Sequence, residues 1–476
     1  MTHQAATLRE SAKRATPPAA TGRVIEHWNP EDEAFWQSTG RRIARRNLWI
    51  SIPALLLAFA VWMIWSVLVV YLPLVGFTYS QPQLFWLAAL PALSGATLRI
   101  FYSFMVPLVG GRRWTAISTG SLLIPAIGIG LAVQNPATPF WVMATLALLC
   151  GLGGGNFASS MANISFFFPK KEKGTALGLN AGLGNLGVSA TQFIVPLVIT
   201  IGVFGFLAGS PQQATGESTL WLQNAGFIWV PFILIAAIAA WFGMNDLASA
   251  RASVREQAVI FKRKHNWLMC WLYIGTFGSF IGYSAGLPLL IRGQFPDINA
   301  AQFIFLGPLI GALIRPLGGW MSDRFGGARV TLWNFIAMAI AALAVVLTLP
   351  RGDYAGNFPL FLTLFLVLFA TTGVGNGSTF RMIPVIFLNQ QQHNADPTPE
   401  AQARATQRGA KEAAAVLGLS SAVGAYGGFV IPYSYGWAIA GTGGPAAALY
   451  GFVVFYATCV GITWWYYARR GAEAPC

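Results

Sequence analysis

PALSGATLRIFYSFMVP, residues 91–107, is apolar enough to cross a bilayer, yet it carries Arg99 near its middle. In the second half of the chain FLGPLIGALIRPLGGWM, residues 305–321, repeats the pattern with Arg315. A lone arginine at membrane depth costs roughly 2.5–3.5 kcal/mol on insertion scales. Two of them, at matching places in two halves of one chain, ask for a shared counter-charge. No carboxylate falls in the interior of a span. The inference is that a small anion takes that part.

The rest of the composition fits a membrane setting. Of 476 residues, 55% are hydrophobic and only 10% are charged, which leaves too little polar surface to coat a soluble globule. Apolar runs of about 20 residues, the length that crosses a ~30 Å hydrocarbon core, recur near 49–73, 84–109, 115–134, 139–168, 174–201, 226–245, 266–291, 302–322, 328–349, 358–388, 412–438 and 445–466. This predicts an all-α polytopic membrane protein of twelve transmembrane helices. Residues 1–48 are polar, without the apolar run of a cleaved leader. They read as a cytoplasmic tail whose later part, Trp28 to Arg46, is expected to form an interfacial helix. Four cysteines show neither disulfide nor metal spacing, and Cys150, Cys270 and Cys459 sit in apolar runs, where cysteine behaves as a small hydrophobe. No cofactor and no metal site is expected.

The net charge of +14 would suit a nucleic-acid binder, but its distribution does not. With both termini inside, the inner segments hold 25 of the 30 Lys and Arg, the outer segments hold Arg292 and Arg351, and the spans hold Arg99, Arg315 and Arg381. Such a bias is the positive-inside rule at work. It supports twelve spans with cytoplasmic termini and explains the charge without nucleic acid.

The two halves repeat. GATLRIFYSFMVPLVGGRRWT (95–115) aligns without gaps on GALIRPLGGWMSDRFGGARVT (311–331), placing Arg99 on Arg315 and Gly110-Gly111 on Gly326-Gly327. Farther on, Gly178, Gly184 and Gly187 match Gly418, Gly424 and Gly427. The expected organisation is a tail (1–48), a six-helix half (49–245), a basic linker (246–265), a second six-helix half (266–466) and a short cytoplasmic tail (467–476). Internal repeats of this kind mark transporters that hold substrate between their halves.

In span 5, GTALGLNAGLGNLGVSATQF spaces Gly174, Gly178 and Gly182 four apart, with Gly184 and Gly187 beyond them. Small residues at that spacing let helices approach closely. Glycine also weakens a helix by about 1 kcal/mol per position against alanine, so this many suggest a lined path or a hinge as well as packing. Span 11 repeats the idea through Gly418, Gly424 and Gly427. Asn185 in the span 5 run is a candidate neutral donor to an anion; its span 11 counterpart is Ala425.

Family resemblance now enters. GGWMSDRFGGAR (318–329) resembles the G-x-x-x-D-R-x-G-G signature of the major facilitator superfamily. Asp323 and Arg324 would then form ion pairs that latch one membrane face shut. The first-half copy has Pro107 and Leu108 in the Asp-Arg places, so any latch is asymmetric. GGGNFASSMANISFFFPKKEKGTALGLNAGLGNLGVS, across spans 4 and 5, and LGLSSAVGAYGGFVIP (417–432) resemble the paired signatures of the nitrate/nitrite porter (NarK-type) family within that superfamily. RNLWIS, AWFGMNDLA and both arginine stretches extend the likeness over nearly the whole chain. It is closest to the twelve-span bacterial nitrate/nitrite antiporters.

The resemblance implies a major facilitator fold of two pseudo-symmetric halves in the bacterial inner membrane, working as a monomer on nitrate and nitrite. It implies that Arg99 and Arg315 grip the anion and that Asn185 contacts it. Phe157 and Phe277 would sandwich it, and Tyr273 would complete the pocket. The chemistry agrees, since a planar guanidinium fork matches the coplanar oxygens of a small flat anion with paired charge-assisted hydrogen bonds. Arg381 has no role in the family pattern; either a snorkelling charge or a place in the inner vestibule fits it.

All sixteen acids and the four histidines (His3, His27, His265, His393) lie in tails, loops or span ends. A proton-coupled carrier needs a titratable group at depth, and arginine stays protonated. Closing a dry site around two unpaired arginines costs several kcal/mol, and an anion between them relieves it. The expectation is obligatory exchange of nitrate for nitrite. Swapping one monoanion for another also avoids the inside-negative potential, which would oppose lone anion entry by roughly 2.3 kcal/mol per 100 mV. Nitrate/proton symport is the runner-up and a nitrate-binding membrane sensor the alternative from another class. An enzyme is disfavoured, because no nucleophile-base pair, paired acids or metal spacing occurs in the spans.

Overall fold

The computed structural model describes residues 23–215, 218–248, 250 and 258–476. The first 22 residues of the tail, and Arg251 and Arg255 of the basic linker, lie outside the described residues. Twelve helices are long and apolar enough to cross a membrane: α1 (Glu33–Val75), α2 (Gln81–Tyr102), α3 (Gly111–Ala132), α4 (Phe140–Phe167), α5 (Lys170–Val198), α6 (Asn224–Gly243), α7 (Lys264–Gln294), α8 (Ala300–Phe325), α9 (Gly327–Thr348), α10 (Phe358–His393), α11 (Pro399–Thr442) and α12 (Ala446–Ala468).

Several differ from the expected spans for local reasons. The segment 28–46 is no separate interfacial helix. Asp32 caps a helix that begins at Glu33 and runs through a π turn, Trp36–Gly40, straight into α1. The residues before it form a two-residue strand, β1 (Val24–Ile25), which pairs with β4 (Asp246–Leu247) beyond α6; a hairpin of β2 (Gln212–Gln213) and β3 (Thr219–Leu220) lies between α5 and α6. Helix α2 stops at Tyr102 and resumes only as the short turn Met105–Val109. Pro107, which offers no backbone N–H to the Ser103 carbonyl, lies in that short turn. Arg99 is therefore in the last turn of α2 rather than mid-helix. Helix α11 starts at Pro399, where Thr398 caps it, well before its apolar part.

The sequence repeat is visible in the backbone. Gly110 and Gly326, equivalent in the alignment, both adopt a positive φ, 95° and 89°, at the turns that start α3 and α9. At Gly110 a side chain is excluded twice over, because an added Cβ would lie 2.5 Å from Oδ1 of Asp246. That carboxylate pairs with Arg112 Nε at 3.2 Å, so the first-half turn is tied down inside its own half.

Two six-helix halves, α1–α6 and α7–α12, result. We call the membrane face that carries most of the Lys and Arg the basic face and the other the far face. The halves pack together toward the far face. There Trp86 meets Phe429 and Tyr433, with ring centroids 5.7 and 5.2 Å apart, and Phe193 meets Phe305 at 5.0 Å. Gln192 Nε2 donates to the Ser284 carbonyl at 2.7 Å, and Ser189 Oγ to that of Phe305 at 3.0 Å. Toward the basic face the halves part.

Candidate anion-binding site

Where the packed and parted levels meet, α2 brings Arg99 and α8 brings Arg315. Arg99 is fully buried and Arg315 is 9% exposed. Neither forms an ion pair among the described residues. Arg99 is instead held by backbone. Its Nε donates to the Gly154 carbonyl of α4 and its Nη1 to the Ser421 carbonyl of α11, both at 2.9 Å. The second of these bonds crosses between the halves. Its Nη2 is buried with no partner. Arg315 donates through Nη2 to the Tyr273 hydroxyl at 3.4 Å, and its Nη1 is also buried without a partner. Each arginine thus keeps one guanidinium nitrogen free of any protein acceptor, a costly arrangement at this depth.

Aromatic rings surround Arg99, and one ring lies beside Arg315. The Arg99 guanidinium carbon lies 4.9 Å from the Phe157 ring centre, 5.1 Å from Phe277 and 5.4 Å from Trp62. That of Arg315 lies 5.3 Å from Phe380. Such contacts contribute roughly 2 kcal/mol each when desolvated. Phe157 of α4 and Phe277 of α7 face one another across the halves, with centroids 6.2 Å apart and planes 26° from parallel. Tyr273 stacks on Phe277 at 5.6 Å and 22°.

That last pair depends on a feature absent from the expected picture. Residues Ile274–Gly278 form a π turn inside α7, a local widening found often at functional sites. Glycines make room around it. A Cβ on Gly275 would lie 2.6 Å from the Phe335 ring, and one on Gly278 would lie 2.6 Å from the Gly424 carbonyl of α11. Asn185 of α5 is 1% exposed, and its Oδ1 is buried without a partner. Turning the amide over makes the same position a donor.

The six expected contact residues are all buried, and the hydrogen bond and ring contacts link five of them, Arg99, Arg315, Tyr273, Phe157 and Phe277, directly; Asn185 is not among those linked. Two partners of Arg99, the carbonyls of Gly154 and Ser421, were not foreseen, nor were Trp62 and Phe380. The run GLGGGN offered a signal for the first. A Cβ on Gly154 would sit 2.6 Å from the Trp62 ring, so bare backbone is needed where the arginine docks.

The glycines singled out in spans 5 and 11 divide. A Cβ on Gly187 would lie 2.1 Å from the Leu56 carbonyl of α1, one on Gly184 would lie 2.7 Å from the Leu55 side chain, and one on Gly424 would lie 2.7 Å from the Tyr273 ring. A Cβ on Gly427 would lie 2.5 Å from Cα of Gly278. These four are packing positions. Gly178, Gly182 and Gly418 have nothing within 4 Å. In this arrangement nothing packs on them, and their bare backbone faces open space.

The expected latch is not engaged across the halves in this arrangement. Asp323 pairs with Arg381 of α10, inside its own half, and both side chains are more than half exposed. Arg324 lies over Trp320 and Phe325, 5.7 Å from each ring. With the halves apart on the basic face, neither residue reaches the opposite half. Arg381, for which two readings stood open, is the partner of Asp323. Among the described residues no group of three His, Cys, Asp or Glu side chains is placed to hold a metal ion.

Two related six-helix halves with buried cations at their junction define the class: a secondary-transporter fold. Comparison with known proteins agrees. The family model described as Major Facilitator Superfamily matches residues 9–191 and 54–406. The chain is 53% identical to the nitrate/nitrite transporter NarU of Salmonella typhimurium over 447 residues, covering 94% of this chain and 96% of the relative. It is 45% identical to the probable nitrate/nitrite antiporter NarK2 of Thermus thermophilus over 466 residues, covering 96% and 99%. The chain belongs to the nitrate/nitrite porter (NarK-type) family of the major facilitator superfamily. Among solved structures, an inward-facing, occupied bacterial homolog of the human lysosomal transporter Spinster superposes with a TM-score of 0.58 at 13% identity, covering 87% of this chain and 95% of that one. At that identity the likeness speaks for the fold alone.

Proposed function

We propose that this chain carries nitrate and nitrite across the bacterial inner membrane, exchanging one for the other by alternating access, with the basic face and both termini in the cytoplasm. The observation that carries the reading is the pair of unpartnered buried nitrogens, Nη2 of Arg99 and Nη1 of Arg315, one from each half. A small flat anion with coplanar oxygens accepts from both at once. The relatives' names supply the anion. Phe157 and Phe277, each about 5 Å from the Arg99 guanidinium, wall the site on its aromatic side and select a flat anion against thicker, tetrahedral ones. Asn185 and Tyr273 complete the shell as neutral partners.

Exchange follows from the same geometry. With no carboxylate or histidine paired to either arginine, the described residues supply no proton carrier at the site. An empty site that closes traps two unneutralised cations, so the loaded carrier reorients and the empty one stalls. Asp323 and Arg324, now turned within one half, are the groups that meet the other half when the basic face closes.

Counterflow in proteoliposomes tests this. Labelled nitrate uptake is followed with nitrite, nitrate, chloride or no anion inside, with pH and potential clamped. Uptake that requires internal nitrite or nitrate and ignores both clamps is the expected result. Uptake into anion-free vesicles driven by an inward proton gradient would overturn exchange in favour of symport. Binding without turnover would indicate a sensor.

A further inference from the structure

Arg292 stands out on the far face. It is one of only two basic residues assigned to that side by the charge census, against the bias that governs the other loops. The second, Arg351, is exposed in a loop. Arg292 is half-buried in the last turn of α7, and its Nη1 is buried with no hydrogen-bond partner. Asp297 and Asp353, the described acids of this face, are exposed, and neither pairs with it.

Its position is on the seam between the halves. About two turns toward the membrane centre, the Ser284 carbonyl of α7 accepts from Gln192 of α5. The next residue, Gly293, lies so near the start of α2 that an added Cβ would be 3.1 Å from Gln81 Nε2. Tyr71, at the end of α1, lies within electrostatic reach of the guanidinium. The end of α7 with Arg292 is therefore pressed against α1 and α2 of the other half while the far face is closed. Opening that face draws α7 away from both helices and leaves a freed guanidinium nitrogen at the mouth of the path.

We propose that Arg292 is the far-face capture site for the transported monoanion, a second anion-binding position outside the paired arginines. In the closed state its free nitrogen is stored in the seam. In the open state it draws the anion from solution before Arg99 and Arg315 engage. This inference rests on the carrier reading above, because it needs a far face that opens.

The experiment measures half-saturating nitrate separately from each face, in right-side-out and inverted membrane vesicles with saturating nitrite on the opposite side. Wild-type exchange in both is the entry condition, and its absence would count against the carrier reading itself. With exchange present, Arg292→Gln is expected to raise the far-face value about five- to tenfold, the scale of one near-surface charge acting on a monovalent anion. The basic-face value should move far less. Arg292→Lys should recover most of the loss, since capture uses charge more than the planar fork. Added inert salt should weaken far-face uptake more in wild type than in Arg292→Gln. An unchanged far-face value in Arg292→Gln, or an equal rise at both faces, overturns the proposal. The basic-face measurement and the melting temperature of the purified variant separate loss of capture from loss of folding.

Discussion

Arg99 and Arg315 are equivalent in the repeat but not in their bonding. Arg99 spends two donors on carbonyls, one in each half, and keeps one free. Arg315 has a single long bond to Tyr273 and lies closer to the opening. Lysine can replace neither fork, yet the two substitutions should differ. Arg315→Lys is expected to lower nitrate counterflow about 10–100-fold, the loss of a charge-assisted hydrogen bond, while the melting temperature holds. Arg99→Lys should cost at least as much transport and also lower the melting temperature, because buried carbonyls of Gly154 and Ser421 lose their donor. Transport assays paired with thermal unfolding of the same preparations check both. Equal melting behaviour would refute the structural share assigned to Arg99. At this scale much was legible in the sequence: a charge at membrane depth announces itself, and its repeat doubles the signal. The carbonyls that hold it were not, because every residue carries one and only the packing of α2 against α4 and α11 selects two of them.

Helices show where sequence reading stops. Apolar length located all twelve, and capping residues such as Thr398 and Asp32 explain the true starts. The π turn at Ile274–Gly278 was not legible, since the apolar pattern of one helix does not record an extra residue in a turn that neighbouring glycines on α11 accommodate. The partner of Asp323 was missed for a related reason. Its choice between Arg381 and the opposite half depends on how far apart the halves stand, which no single span encodes. Glycine spacing likewise could not separate glycines closely packed by a neighbour from those that face open space, whereas the structure does. Gly187→Ala would place a methyl 2.1 Å from a backbone carbonyl of α1, and overpacking against backbone destabilises by about 1–3 kcal/mol or more. Poor yield and a lowered melting temperature are expected. Gly178→Ala meets open space here and gains helix propensity of up to about 1 kcal/mol. It should fold as well as the parent, and slowed exchange in it would show that this backbone must pass close to the other half. Normal exchange in Gly178→Ala would remove that helix face from the closing surface.

Across the whole molecule, the halves meet on the far face and part on the basic face. The expected accessibility is directional. Gly178→Cys and Gly418→Cys, in a Cys476→Ser background that leaves only the buried Cys150, Cys270 and Cys459, should react with a membrane-impermeant thiol reagent from the basic face and resist it from the far face. Labelling from the far face alone would reverse the assignment. The two-half plan itself was readable, because the repeat and the charge bias are long-range properties of the chain; which face stands open was not, since both states bury the same sequence. The seam also carries an optical reporter. Trp62 donates its indole N–H to the Pro91 carbonyl at 2.7 Å, is closely packed by Gly95 and Gly154, and lies beside Arg99, whose bond to Ser421 spans the halves. An anion arriving at Arg99 changes the electric field across that fixed ring. The emission difference between the parent and Trp62→Phe, recorded as nitrite is added, should therefore shift in wavelength as the site fills, giving a label-free readout of occupancy within a single turnover.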